Sequence, residues 1–304
     1  MRIGRLMTGI LLACVTALAA GCASAASQHG GRPARAAAVS GPVYYVSLGD
    51  SLSQGVQPTV FGQSQATNSG YPNRIFAVLQ ARQPDWQLVK LGCSGETTST
   101  MIHGGSCHYA DGSQLAEAEH FLREHRGHTG LITIDIGAND PNACLLGTVS
   151  ASTIVSCMSH SIKHTTTDLR TIMSGLRAAA GPRVTIIAMS YYVPELAGWL
   201  DGMTGKEIAV LTERLVAGYN RLLTQVYQRY GARVADVFGA FHSADFTDQV
   251  RLPGLGVLPR NVATICEWTW ACARWPQGPN EHANSIGYGV IALAFLLADP
   301  QLSR

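Results

Sequence analysis

Gly49-Asp50-Ser51-Leu52 closes the short apolar run Val43-Tyr44-Tyr45-Val46-Ser47-Leu48. A run of that length and β-rich composition, ending in Gly, reads as a buried strand whose last turn presents a serine at the edge of a parallel sheet. Ser51 is therefore a candidate nucleophile. Three further polar blocks stand at comparable places: Gly92-Cys93-Ser94-Gly95-Glu96, Gly137-Ala138-Asn139-Asp140, and His282-Ala283-Asn284 just ahead of the last helical pattern. Each has a plainer role as well. Asn139 suits an Asx turn, Gly95 a simple turn, and His282 a solvated turn before a helix.

The elements that must hold these blocks alternate along the chain. After the first strand, β-rich runs recur at Gln87–Leu91, Gly130–Ile136, Arg183–Met189 and Arg233–Val237. Helical patterns separate them at Tyr71–Arg82, Gln114–Arg126, about 161–180 and about 206–230. In the fourth, Ile208, Leu211, Leu215, Tyr219, Leu222, Val226 and Tyr230 recur at steps of three and four. A last helix opens at Asn284-Ser285 and stops before Pro300. The expectation is a three-layer α/β/α domain around a central five-stranded parallel sheet, flavodoxin-like in type. Such sheets bind ligands beyond the carboxyl ends of their strands, where Ser51 and the second and third blocks must meet.

The first residues combine Arg2 and Arg5 with an apolar stretch from Leu6 to Ala20 and small residues at its exit. A membrane span needs about 20 apolar residues, so this is read as an export signal over residues 1–25. Two exits compete. Ala19-Ala20-Gly21-Cys22 resembles a lipobox that would lipidate Cys22, although Leu is usual where Ala19 stands, and Ala23-Ser24-Ala25 resembles an ordinary cleavage site. Residues 26–42 read as a flexible tether and 43–304 as one domain. The expected location is outside the cytoplasm, secreted or anchored at the cell surface.

With Arg2 and Arg5 in the leader, the 22 Lys+Arg and 20 Asp+Glu leave 20 of each sign, and no electrostatic case for a nucleic-acid partner. Of the eight cysteines, Cys14 and Cys22 belong to the leader. The other six fall into three sequence-local couples, 93–107, 144–157 and 266–272, expected as disulfides in an exported protein. Each of the two longer loops would gain about 3 kcal/mol in the chain-entropy account. Zinc is disfavoured because no C-x-x-C or clustered histidine accompanies them.

Taken together, Gly49-Asp50-Ser51-Leu52, the Gly95 block, Gly137-Ala138-Asn139-Asp140 and His282 resemble the four ordered blocks of the GDSL family, also called SGNH hydrolases. The resemblance spans about 43–298 and is to the exported bacterial members. It implies ester hydrolysis: Ser51 attacks, His282 carries the proton, and the N–H groups of Ser51 and Gly95 with the Asn139 amide hold the oxyanion. No cofactor or metal is implied, and a monomer is expected. Asp140 is read as a brace for its loop. The family's usual Asp, three residues before the histidine, is Pro279 here. The Pro279 carbonyl is the first candidate to orient the imidazole instead, and activity is expected to be modest.

The string around Ser51 lacks G-x-S-x-G, which argues against an ordinary α/β-hydrolase lipase. Tyr191, Tyr192, Val193, Leu196, Trp199 and Leu200, together with Leu252–Gly256 and Glu267–Trp270, are expected as pocket walls or as ordinary packing. A small-molecule or lipid ester is the leading substrate class. The alternatives are a carbohydrate acetyl ester, with tryptophans stacking on sugar, and a non-catalytic binding protein that retains the fold.

Overall fold

The computed structural model describes residues 41–141 and 151–303. The leader, the tether up to residue 40 and Cys144 lie outside the described residues. In chain order the elements are β1 Val43–Gly49, α1 Ser51–Gln54, β2 Gln57–Pro58, β3 Ser64–Gln65, α2 Tyr71–Arg82, β4 Trp86–Lys90, α3 Thr98–His103, α4 Gln114–Glu124 and β5 Thr129–Asp135. They continue with α5 Ala151–Ala180, β6 Thr185–Met189, a 3-10 helix Pro194–Asp201, α6 Gly202–Arg229, β7 Arg233–Ala235 and α7 Val237–Ala240. The last are β8 Gln249–Leu252, β9 Gly256–Pro259, α8 Arg260–Trp268, α9 Ser285–Ala298 and α10 Pro300–Ser303.

The central sheet has five strands in the order β4-β1-β5-β6-β7, all parallel. Parallel strands covered on both faces read as continuous apolar runs, and β1 and β5 do: Tyr45, Val46, Leu48, Leu131, Ile132 and Ile134 are all fully buried. Helices α2 and α9 pack together on one side, while α4, α5 and α6 pack in series on the other. Two antiparallel hairpins, β2-β3 and β8-β9, stand outside the sheet. The chain leaves β1 toward β4 on one side and returns past it to β5 on the other. That reversal opens a crevice at the carboxyl ends of β1 and β5, where a ligand site belongs.

Two of the three expected disulfides are present, Cys93–Cys107 and Cys266–Cys272. Cys157 is disulfide-bonded, and its expected partner Cys144 falls outside the described residues. No described helix is long and apolar enough to cross a membrane.

Candidate active site

Ser51 owes its position to the glycine two residues before it. Gly49 sits at φ +131°, and a Cβ there would lie 2.1 Å from the Asp135 carbonyl oxygen, so the strand can end this way only as glycine. The Gln114 side chain pairs with both Gly49 main-chain groups, its Oε1 accepting at 2.7 Å and its Nε2 donating at 3.0 Å. Asp50 caps α1 by accepting the Leu52 N–H at 3.0 Å. Ser51, half-buried, opens that short helix.

The second block runs on from β4 and is held beside β1 by Leu91 N–H to Ser47 and Cys93 N–H to Gly49, at 2.9 and 3.0 Å. Gly95 takes φ +79°, and no atom lies within 4 Å of where its Cβ would be. It faces open space. In the third block the Asn139 amide donates to the Glu96 carbonyl at 2.9 Å, which ties the end of β5 to the Gly95 turn. Asp140 accepts from the Thr98 N–H and hydroxyl, a bracing role as expected, and burial pushes its carboxyl above the usual range.

His282 lies 6% exposed in a loop fastened on both sides: Trp270 N–H reaches the His282 carbonyl at 3.0 Å and Asn280 N–H the Trp270 carbonyl at 3.1 Å. Its Nδ1 is 2.8 Å from Asn280 Oδ1, which also accepts the His282 main-chain N–H at 3.0 Å. The main-chain N–H can only donate, so the atom facing it is the amide oxygen. The imidazole then carries its proton on Nδ1 and leaves Nε2 unprotonated. This corrects the expectation for Pro279. The acceptor is the Asn280 side chain rather than the Pro279 carbonyl, because an Asx turn reaches both N–H groups of the residue two places on. Glu281 Oε1 is 3.6 Å from Nδ1 but its side chain is 68% exposed. Burial lowers the His282 pKa below the ordinary imidazole value, against an opposing pull from Glu281.

Ser51, Asn139 and His282, from three separate segments, line one cleft of about 190 Å³. Gly95 is not among its walls and is linked to it through the Asn139–Glu96 contact. The remaining surface is mostly apolar: Tyr191 and Tyr192 after β6, Ile162 on α5, and Leu215, Val216 and Tyr219 on α6. The Tyr192 hydroxyl donates to the Glu281 carbonyl at 2.8 Å, bracing wall against histidine loop. Of the other expected wall residues, Val193 and Leu196 are fully buried in the core, and Trp199 tilts against Phe246 under Lys206 Nζ, 5.2 Å from its ring. Leu200 is 40% exposed outside the cleft. Leu252–Gly256 belongs to the β8-β9 hairpin, and Trp268 meets Phe241 edge-on. Asn280 and the α6 wall are the site residues that the sequence reading missed. The amphipathic period of α6 was the only trace of that wall, and no spacing rule marked Asn280.

The model of the GDSL-like lipase/acylhydrolase family matches residues 47–256, a span that holds the Ser51, Gly95 and Asn139 blocks and stops short of His282. Among solved structures, the extracellular lipase of Streptomyces rimosus matches with TM-score 0.54 at 18% identity, over 84% of this chain and 98% of that one. Phospholipase A1 of Streptomyces albidoflavus matches with TM-score 0.53 at 19% identity, over 84% and 98%. No curated protein matches significantly. At these identities the two structures share the fold, while the family match covers more than half of the sequence. The chain belongs to the GDSL-like lipase/acylhydrolase family, whose members are carboxylic ester hydrolases.

Proposed function

We propose that this protein is an exported serine hydrolase that cleaves carboxylic esters with apolar acyl groups through a Ser51–His282 acyl-enzyme. The observation that carries the reading is the meeting of Ser51, Asn139 and a His282 of fixed tautomer in one cleft. Nε2 takes the Ser51 hydroxyl proton as Oγ attacks the ester carbonyl. The carbonyl oxygen becomes an oxyanion held by the N–H groups of Ser51 and Gly95 and by the Asn139 amide. The tetrahedral species collapses, the proton passes from Nε2 to the departing alkoxide, and the alcohol leaves. Water repeats the sequence on the acyl-enzyme, releasing the acid and restoring Ser51. Asn280 orients the imidazole without adding a charge, so the imidazolium is less stabilised than in a triad with a carboxylate.

The aliphatic and tyrosine surface supports an acyl chain rather than a sugar as the group lying beside Ser51. Export is inferred from residues 1–25, with a choice between a lipid anchor on Cys22 and free release past Ala25; the two disulfides are consistent with it. The test is turnover of a p-nitrophenyl ester series with and without a serine-directed phosphonate. Stoichiometric labelling at Ser51 with loss of turnover supports the reading. Undiminished turnover after labelling, or in folded Ser51→Ala, overturns it.

A further inference from the structure

Gly95 is exposed, and the open space around it offers its turn no packing support. The residue after it is held instead. Glu96 is 1% exposed, and three of its polar groups are engaged. Its N–H donates to the Cys93 carbonyl at 3.1 Å, its carbonyl accepts the Asn139 amide at 2.9 Å, and its Oε2 accepts Gln114 Nε2 at 2.9 Å.

Gln114 extends that hold to the turn of Ser51. It is fully buried as the first residue of α4, and Ser113 ahead of it caps the helix by accepting the Ala116 N–H at 3.2 Å. The start of the helix therefore fixes where this side chain stands. An amide nitrogen carries two hydrogens, and Nε2 shares them between Glu96 Oε2 and the Gly49 carbonyl, while Oε1 accepts the Gly49 N–H. One side chain from outside the Ser51, Gly95 and Asn139 blocks thus ties the first to the second, and the Glu96 carbonyl ties the second to the third. Glu96 Oε1 has no hydrogen-bond partner, and among the described residues no lysine, arginine or histidine is ion-paired with the carboxyl. A buried group so incompletely paired costs stability and calls for a function.

Building on the serine-hydrolase reading, we propose that Glu96 is a positioning residue for the oxyanion donors. Through Gln114 it fixes the Gly95 turn against the Ser51 turn, and through its carbonyl it fixes the Asn139 amide. It touches no reacting atom. Its effect falls on the spacing of the three donors, which counts most when the negative charge develops on the carbonyl oxygen. Loss of the hold should therefore lower kcat and leave KM nearly unchanged. Acceptance of a hydrogen bond rather than charge performs the task, so an amide at position 96 should serve in place of the carboxyl.

The test compares Glu96→Gln, which keeps an acceptor for Gln114, with Glu96→Met, which fills similar space without one. On a p-nitrophenyl ester, Glu96→Gln should stay within about threefold of wild type in kcat, whereas Glu96→Met should lose about thirtyfold or more with KM within about threefold. An alkyl boronic acid, whose tetrahedral adduct on Ser51 places an oxygen among the donors, should bind Glu96→Met more weakly by the same factor as the fall in kcat/KM. Hydrogen exchange supplies a readout without turnover: residues 49–54 should exchange faster in Glu96→Met than in Glu96→Gln, although position 96 lies in the other turn. If Glu96→Met does not fold, Glu96→Asp replaces it, because a carboxylate one methylene shorter keeps the charge and withdraws the acceptor, and the same kcat loss is expected. A folded Glu96→Met within about threefold of wild type in kcat overturns the proposal. So does a Glu96→Gln enzyme as impaired as Glu96→Met, or a loss carried by KM alone. A folded chain that cleaves no ester and whose Ser51 resists the phosphonate overturns the hydrolase reading and the role given to Glu96 with it, while faster exchange at residues 49–54 would still show that the two turns are coupled.

Discussion

Asn280 Oδ1 accepts from two donors of the same residue, the His282 main-chain N–H at 3.0 Å and the imidazole Nδ1–H at 2.8 Å. A neutral side chain therefore performs the orienting half of a carboxylate's task. It selects the tautomer and fixes the ring plane. The electrostatic half, stabilising an imidazolium, is left undone because an amide oxygen carries only a partial charge.

That division predicts opposite effects at one position. Asn280→Ala should lower kcat by about a hundredfold, near 2.7 kcal/mol, by freeing the ring to adopt the wrong tautomer. Asn280→Asp keeps both acceptor contacts and adds charge, so kcat should rise. Glu281→Gln, at a solvent-screened side chain, should stay within about tenfold of wild type. Steady-state kinetics of the three variants decides. An Asn280→Ala enzyme within about threefold of wild type would show that Nδ1 takes its partner elsewhere.

Burial lowers the His282 pKa, with the pull of Glu281 opposing it. A base must be unprotonated, so activity is lost as pH falls through the pKa of the folded free enzyme. With that pKa depressed, the acid limb of kcat/KM should lie below about 6.5, the ordinary imidazole value. A limb at or above that value contradicts the burial of the base. The same sign applies to stability: the unfolded chain takes up this proton first, so His282 disfavours the fold progressively as pH drops below the unfolded value.

Much of this arrangement was legible before the fold was known. The strand-to-turn position of Ser51 follows from an apolar run ending in Gly49, and the parallel sheet from alternation of strand and helix. Asn280 was not legible, because an Asx turn depends on loop geometry rather than on a spacing rule, and attention to the missing Asp led instead to Pro279. The stripe on α6 gave the helix but not its burial. Ile208, Leu211 and Leu215 have the period of a buried face, yet they are 53, 59 and 47% exposed, while Tyr219, Leu223, Val226 and Tyr227 are the residues buried. Of the three exposed residues only Leu215 lines the cleft, so an apolar period records that a face is apolar and not what covers it. The segment after β9, for which the sequence pattern suggested no element, forms α8 from Arg260.

The two groups proposed to hold the oxyanion, Asn139 and Gly95, separate by chemistry. Asn139→Ala removes a side-chain donor from the cleft together with its bond to the Glu96 carbonyl, and should cost about 10²–10³ in kcat with smaller change in KM. Gly95→Ala meets no steric obstacle, since nothing lies within 4 Å of the added methyl, but it forces a non-glycine residue to φ +79°. Strain of roughly 1–2 kcal/mol should appear as lost thermal stability. Denaturation midpoints and kcat for both variants check this. A Gly95→Ala protein of unchanged stability would place the turn outside the left-handed region.

The acyl preference should be written on α6. Leu215 and Val216 line the cleft with Ile162 and Tyr219, and Leu215 is half exposed, so it marks the mouth rather than the floor. Each methylene of an acyl chain that leaves water against such a wall contributes up to about 0.8 kcal/mol, close to fourfold in kcat/KM. For p-nitrophenyl esters, kcat/KM should therefore climb from acetate until the apolar wall is covered, then level off. Leu215→Asp puts a charge where the chain lies, so it should flatten the climb and leave the acetate rate within about threefold of wild type, since acetate is too short to reach the mouth. Equal loss on acetate and on longer esters would mean that the substitution disturbs the reacting centre and that the chain runs along another surface, and a wild type fastest on acetate would favour a small acyl group such as that of an acetylated sugar.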